Sequence, residues 1–167
     1  MGVIFPQMIN SWLHILALIV YLGAVMGLWF VLLPSLPATD NHEARVHFLA
    51  RGLKIYNPLH IGALGIILFT GAFQLTEIKA AYREVFAQQL GYNLGVKLFF
   101  AFFLVLFSVY QSMGIGHRFV KRQEAGETIT PQELKSVIYR LKAANGCIIV
   151  LAAITLWLGL RLSQSRP

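Results

Sequence analysis

Four long apolar stretches, separated by polar segments with helical periodicity, set the pattern of this chain. Crossing about 30 Å of hydrocarbon takes roughly 20 apolar residues at 1.5 Å per residue. The stretches at residues 8–33, 56–76, 93–116 and 143–160 answer to that length. Pro34 and Pro37 stop the first, because proline removes a backbone donor and crowds the preceding turn. Pro58 falls in the first turn of the second, where proline is tolerated. The first stretch has no basic leader, and its apolar run is too long for a cleaved signal peptide.

The connections carry helix signals of their own. "TDNHEARVHFLARGLK" offers Asp40 as N-cap with Glu43 three residues on, a capping-box spacing. "TITPQELKSVIYRLK" offers Thr130 as N-cap, Pro131 at the first helical position and Glu133 at the third. Nothing interrupts the pattern between Pro131 and the fourth stretch, so one long rod is expected there. "TEIKAAYREVFAQQLGYN" reads as a third short helix ended by Gly91. The expectation is an all-α, integral-membrane four-helix bundle with amphipathic connecting helices, a single transmembrane domain over residues 1–167. Gly23 and Gly27 on the first stretch, and Gly62, Gly65 and Gly71 on the second, are expected to let helices approach closely.

Composition agrees with the pattern. The chain is 57% hydrophobic and 13% charged, with mean hydropathy +0.65, against about a quarter charged in soluble domains. Its net charge of +7 does not imply nucleic acid, because the basic residues flank apolar runs and so orient helices in a bilayer. Arg45, Arg51, Lys54, Arg118, Lys121, Arg122, Lys135, Arg140 and Lys142 fall on one side, and Lys79, Arg83, Lys97, Arg161 and Arg166 on the other. That asymmetry predicts both termini outside and the basic loops in the cytoplasm. The one cysteine, Cys147, excludes an intramolecular disulfide and a cysteine-rich metal site; it reads as a small core residue.

Ionisable and amide side chains inside the spans carry the candidate chemistry, since each is costly in lipid and belongs on an inward face. His14 shares a helical face with Gln7, Asn10, Ser11 and Tyr21. Asn93, Lys97, Ser108 and Gln111 form a stripe on the third span. Tyr56, His60 and Gln74 lie on one side of the second, and the fourth offers Asn145 and Thr155. Depth divides them into an outer group (His14, Lys97, Tyr21, Gln74 and Glu77) and an inner group (His60, Tyr56, Asn57, Gln111 and His117). His14 and His60 should stand roughly 15–20 Å apart along the bundle, too far to ligate one iron together. His60 and His117 are expected at closer depths. His42 and His47 read as surface groups, and Trp12, Trp29 and Trp157 as interface or packing aromatics.

The segments "LHILALIVYLGA", "RVHFLARG", "LFTGAFQL" and "LGVKLFFAFFLVLFSVYQ", in that order, resemble the four-helix membrane domain of the CopD copper-resistance family. They are also similar to the HemJ-type family, linked to protoporphyrinogen oxidation and haem binding. The matching points are His14, the Thr70–Gly71 pair and Lys97. HemJ-like proteins typically carry a histidine where this chain has Gln111, which argues against that family's activity here. The resemblance implies haem or copper.

For haem b, an axial imidazole, an apolar slot and a cation for the propionates are needed. The outer group offers His14 as ligand, Lys97 for a propionate, and Tyr21 or Gln74 nearby. The inner group offers His60, with His117 or Tyr56 as second ligand. Two haems would make a transmembrane electron path. Copper at His14 and His60 is the alternative, although Cu(I) also favours sulfur and Met8, Met26 and Met113 lie at different depths. A non-catalytic scaffold or accessory subunit is the third class. No P-loop, HExxH, CxxC or Ser-His-Asp set is present. Expected partners are the bilayer and a redox protein or membrane complex, with enzymatic activity and homo-oligomerisation left open.

Overall fold

The computed structural model describes residues 4–38, 41–81 and 89–164. Helix α1 spans Ile4–Gly27 and passes into a wider π-helical turn, Leu28–Leu32. There the Leu33 N–H reaches back five residues to the Leu28 carbonyl. Pro34 follows at once and has no N–H to continue the ordinary ladder. Short turns carry the chain on through Ala38.

Helix α2 spans His42–Ala81, 40 residues without a break. Its cap is Asn41, whose Oδ1 accepts from the Glu43 N–H at 3.2 Å and whose carbonyl accepts from the Arg45 N–H. The expected cap, Asp40, lies outside the described residues. Two expectations change here. The basic amphipathic connection is not a separate helix but the first half of α2. Pro58 therefore sits inside a helix and not in a first turn. No turn residue separates "RVHFLARGLKIYN" from the apolar run, so the helix continues through the proline.

Helix α3 spans Gln89–Val109 and leads into an eight-residue π-helical segment, Tyr110–His117, then an α-helical piece, Arg118–Glu124. Gly91 does not end the expected short helix. Its first part belongs to α2, residues 82–88 lie outside the described residues, and Gly91 falls in the opening turn of α3. The third rod ends in a Schellman motif, with the Glu127 N–H on the Arg122 carbonyl and the Gly126 N–H on the Gln123 carbonyl. Gly126 adopts φ +73°, the left-handed conformation glycine tolerates best. Helix α4 spans Pro131–Gln164 as one rod. Its capping box is reciprocal: the Glu133 N–H donates to Thr130 Oγ1, and the Thr130 N–H donates to Glu133 Oε2.

The rods pair as α1 with α2 and α3 with α4, while the π-helical segment packs on both α2 and α4. Among the described residues, four helices are long and apolar enough to cross a membrane. Their outward faces are apolar, with Ile19, Phe30, Phe69, Phe99 and Trp157 all exposed. Cys147 is also exposed, not a core residue; its neighbours Asn145 and Ile148 take the inward positions. The expected close-packing glycines fail in part. A methyl group on Gly23, Gly27, Gly62 or Gly65 would meet open space. The true close approaches are at Gly52, against the Leu32 side chain, and at Gly116, where a methyl would stand 2.6 Å from Asn57 Oδ1. Gly71, as expected, faces a neighbouring helix, with His14 Cε1 3.6 Å from the position of an added methyl.

The basic end of the bundle is tied together by polar contacts. Lys54 meets Glu124 at 2.6 Å, and Arg122 meets Glu127 and Glu133. His42 is half-buried, bonded through Nε2 to the Ile129 carbonyl at 2.7 Å, and so anchors a loop instead of standing free at the surface. His47 remains exposed and meets Gln123.

Candidate functional site

Polar side chains gather inside the bundle in two layers. The first is built around His60, which is fully buried on α2. Its ring stacks with two phenol rings: Tyr21 of α1 at 4.8 Å between centroids and Tyr56, one turn back on α2, at 4.9 Å, both near parallel. Nδ1 of His60 pairs with Ser112 Oγ at 2.8 Å. Ser108, one turn earlier on the third rod, donates its only hydroxyl proton to the Leu104 carbonyl at 2.7 Å. Its oxygen must therefore accept the Tyr21 O–H at 2.6 Å.

A second buried strand of bonds lies beside this sandwich. Gln111 Nε2 donates to Asn145 Oδ1 at 3.1 Å, and Asn145 Nδ2 donates to the Val25 carbonyl at 3.1 Å. Asn145 thereby links α4 to both α1 and the third rod. Four buried atoms here have no hydrogen-bond partner among the described residues: Tyr56 Oη, Asn57 Oδ1, His60 Nε2 and Gln111 Oε1.

The second layer is ten residues farther along α2, about 15 Å at 1.5 Å per residue. There His14 Nδ1 meets Thr70 Oγ1 at 2.7 Å. Thr70 is buried, and its hydroxyl points its one proton back to the Ile66 carbonyl at 2.6 Å, with Ile67 O at 3.2 Å. The threonine oxygen is thus an acceptor toward the ring. With that hydroxyl proton committed to Ile66, His14 Nδ1 donates to Thr70, and the ring is also held by a hydrogen bond to the Ile67 backbone. Asn10 Nδ2 closes the layer on the Thr70 carbonyl at 3.2 Å. From the other pair, the Lys97 ammonium lies 3.3 Å from where a methyl on Gly159 would stand, near enough to act electrostatically on His14.

Among the predicted residues, His14 and Lys97 are brought to one layer, and His60, Tyr56, Asn57 and Gln111 to the other. Three placements are corrected. Tyr21 belongs with His60 and not with His14, because seven residues of helix carry it inward. His117 is exposed, and among the described residues nothing connects it to His60, since it occupies the outer flank of the π-helical segment. Gln74 is half-buried, one turn past Thr70, with no bond to His14 among the described residues. The side chains of Gln7, Glu77 and Asn93 lie outside the described ones. Sequence reasoning missed Ser112, although its four-residue offset from Ser108 put it on the same face.

The wide π-helical turn places Gln111, Ser112, Ile115 and Gly116 all in the interior. Such segments recur at functional sites. Comparison with protein-family models, curated proteins and solved structures finds no match to this chain.

Proposed function

We propose that this chain is a bacterial inner-membrane protein that crosses the bilayer four times and binds haem b at the His14 layer, serving electron transfer or haem-linked redox chemistry. The observation that carries this reading is the state of the His14 ring. A metal-bound histidine characteristically donates its other ring N–H to a neighbour, which fixes its orientation and raises its basicity. Thr70 plays that part for Nδ1, and Nε2 is the nitrogen that an iron would take. Lys97 supplies a cation for a propionate. When bound, haem would supply one-electron redox chemistry, and the chain's own groups would hold and orient it. The apolar exterior and the basic residues crowded at one end support insertion with that end in the cytoplasm.

The fit at His60 is poor. Its ring is stacked against two phenols, and the expected second ligand, His117, lies on the surface. A two-haem path through the bundle is therefore not part of this proposal. For copper, no group of three His, Cys, Asp or Glu side chains gathers among the described residues, so His14 and His60 would each be a lone ligand.

The test is an absorption spectrum of the detergent-solubilised protein, before and after reduction and after addition of hemin. A Soret band that shifts on reduction is expected, lost in His14→Ala and kept in His60→Ala. A band unchanged in His14→Ala, or no band even with added hemin, refutes the reading.

A further inference from the structure

The His60 layer is left unused by that reading, and its chemistry is incomplete. Asn57 Oδ1 and Gln111 Oε1 are acceptors without donors, Tyr56 Oη has neither, and His60 Nε2 is bare. Three of these residues stand within little more than one turn of α2, and the fourth stands on the π-helical segment that packs against α2. The contacts there run in register: Asn57 against Gly116, and His60 against Ser112, next to Gln111 in sequence. Leaving a polar group unpaired in a dry interior is costly. Four at one helix contact is a burden that one or two bridging molecules with both donors and acceptors would remove.

We propose that the contact between α2 and the π-helical segment encloses water, which bonds to Tyr56, Asn57, His60 and Gln111 and makes His60 a proton-exchanging group inside the bundle. Water fits the donor count, because two amide oxygens need protons and the imidazole and phenol can each give or take one. A metal cation fits poorly, since no carboxylate or thiolate joins the set among the described residues. The chamber has a dry side. Toward the His14 layer, Ala17, Ala63, Leu64 and Leu104 close it, and all are buried and apolar. In the opposite direction the polar groups continue to Asn57, beside Gly116 and the exposed His117.

Silver ion, similar in size to water and reactive with thiolates, tests this in detergent-solubilised full-length protein. Cys147 is first replaced by alanine, leaving no native thiol. Ser112→Cys is then compared with Ala63→Cys, a site in the apolar layer that is also buried. Residual thiol is counted by maleimide after denaturation. Because thiolate formation requires solvation, Ser112→Cys is expected to react about tenfold faster or more. Equal rates would overturn the proposal and would mean that the four polar groups close on one another dry. On the unsubstituted chain, water-edited nuclear magnetic resonance should transfer magnetisation from water to the His60 ring. Absence of that transfer would overturn it as well, independently of how the cysteine variants fold and of whether His14 binds haem.

Discussion

Replacing Thr70 by valine tests the argument about His14 directly. Valine keeps the β-branched shape and removes only the hydroxyl. That hydroxyl donates to the Ile66 carbonyl at 2.6 Å, with the Ile67 carbonyl at 3.2 Å, and accepts from His14 Nδ1 at 2.7 Å. The Ile66 carbonyl, a helical carbonyl, retains its place in the backbone ladder, so the loss falls chiefly on the imidazole. A net hydrogen bond is worth about 0.5–1.5 kcal/mol. At the upper end this is a factor of about ten in the ratio of the two ring tautomers. Nitrogen-15 chemical shifts of the His14 ring, measured without haem, should show a single Nδ1–H form in the wild type. Thr70→Val should show a mixture, and Thr70→Ser should restore the original form. Loss of an outer-shell partner typically lowers metal affinity 10–100-fold, and hemin titration of Thr70→Val should fall in that range. An unchanged tautomer in Thr70→Val would refute the proton count and, with it, the main support for His14 as a ligand.

Asn145→Ala removes two buried bonds, to Gln111 and to the Val25 carbonyl. At about 0.6 kcal/mol each for typical interhelical bonds in membranes and up to about 1.7, it should lower unfolding stability in mixed micelles by about 1–3 kcal/mol; a change below about 0.5 kcal/mol would show that the layer is not holding the rods together. Gly116→Ala drives a methyl against the Asn57 carboxamide and should cost about 1–3 kcal/mol by overpacking, whereas Gly23→Ala and Gly62→Ala, which meet open space, should be neutral or stabilising by up to about 1 kcal/mol in the same assay. Gly126→Ala puts a side chain at φ +73° and should lower the thermal midpoint through a penalty of roughly 1–2 kcal/mol; an unchanged midpoint would mean the loop re-forms without the left-handed turn.

The apolar stretches and caps announced the rods because length and periodicity are local properties. The Thr130–Glu133 box and the unbroken run from Pro131 into the fourth stretch appear as expected. The separation of His14 from His60 was also legible, since helical rise alone fixes depth to within a turn. Rotation is less legible. An ideal α-helical wheel has no place for the two π-helical segments, and each shifts the face that follows it. His117 was thus assigned inward and lies outward, while Ser112 went unnoticed. The glycines misled for a related reason. GxxxG spacing states that a groove exists, but only the neighbouring helix decides whether it is filled. Gly52 and Gly116 carry the close contacts although neither stands in that spacing. Pro58 was misplaced because a helix boundary was assumed where the amphipathic half of α2 simply meets its apolar half.

The polar residues occupy the seam between the two helix pairs as well as its depth. Tyr21 reaches Ser108 across it, His60 reaches Ser112, Asn57 lies on Gly116, and Asn145 reaches the Val25 carbonyl. Lipid tails are as apolar as leucine, so no hydrophobic force distinguishes one pairing of apolar helices from another. Direction must come from hydrogen bonds and close fits, and these concentrate where α1 and α2 meet the third and fourth rods. Each pair brings incomplete polar groups to the seam, so the pairs satisfy each other in one register only. A shift by one turn would separate His60 from Ser112 and Tyr21 from Ser108 together. The same seam holds the unpartnered atoms of the His60 layer and, at the other end, the His14 ring with Lys97 near enough on the opposite pair to act on it electrostatically. Residues that specify the assembly are therefore adjacent to those offered as sites, which is why Gln111→Leu and Asn145→Ala must be compared for stability before any loss of binding is assigned to a ligand.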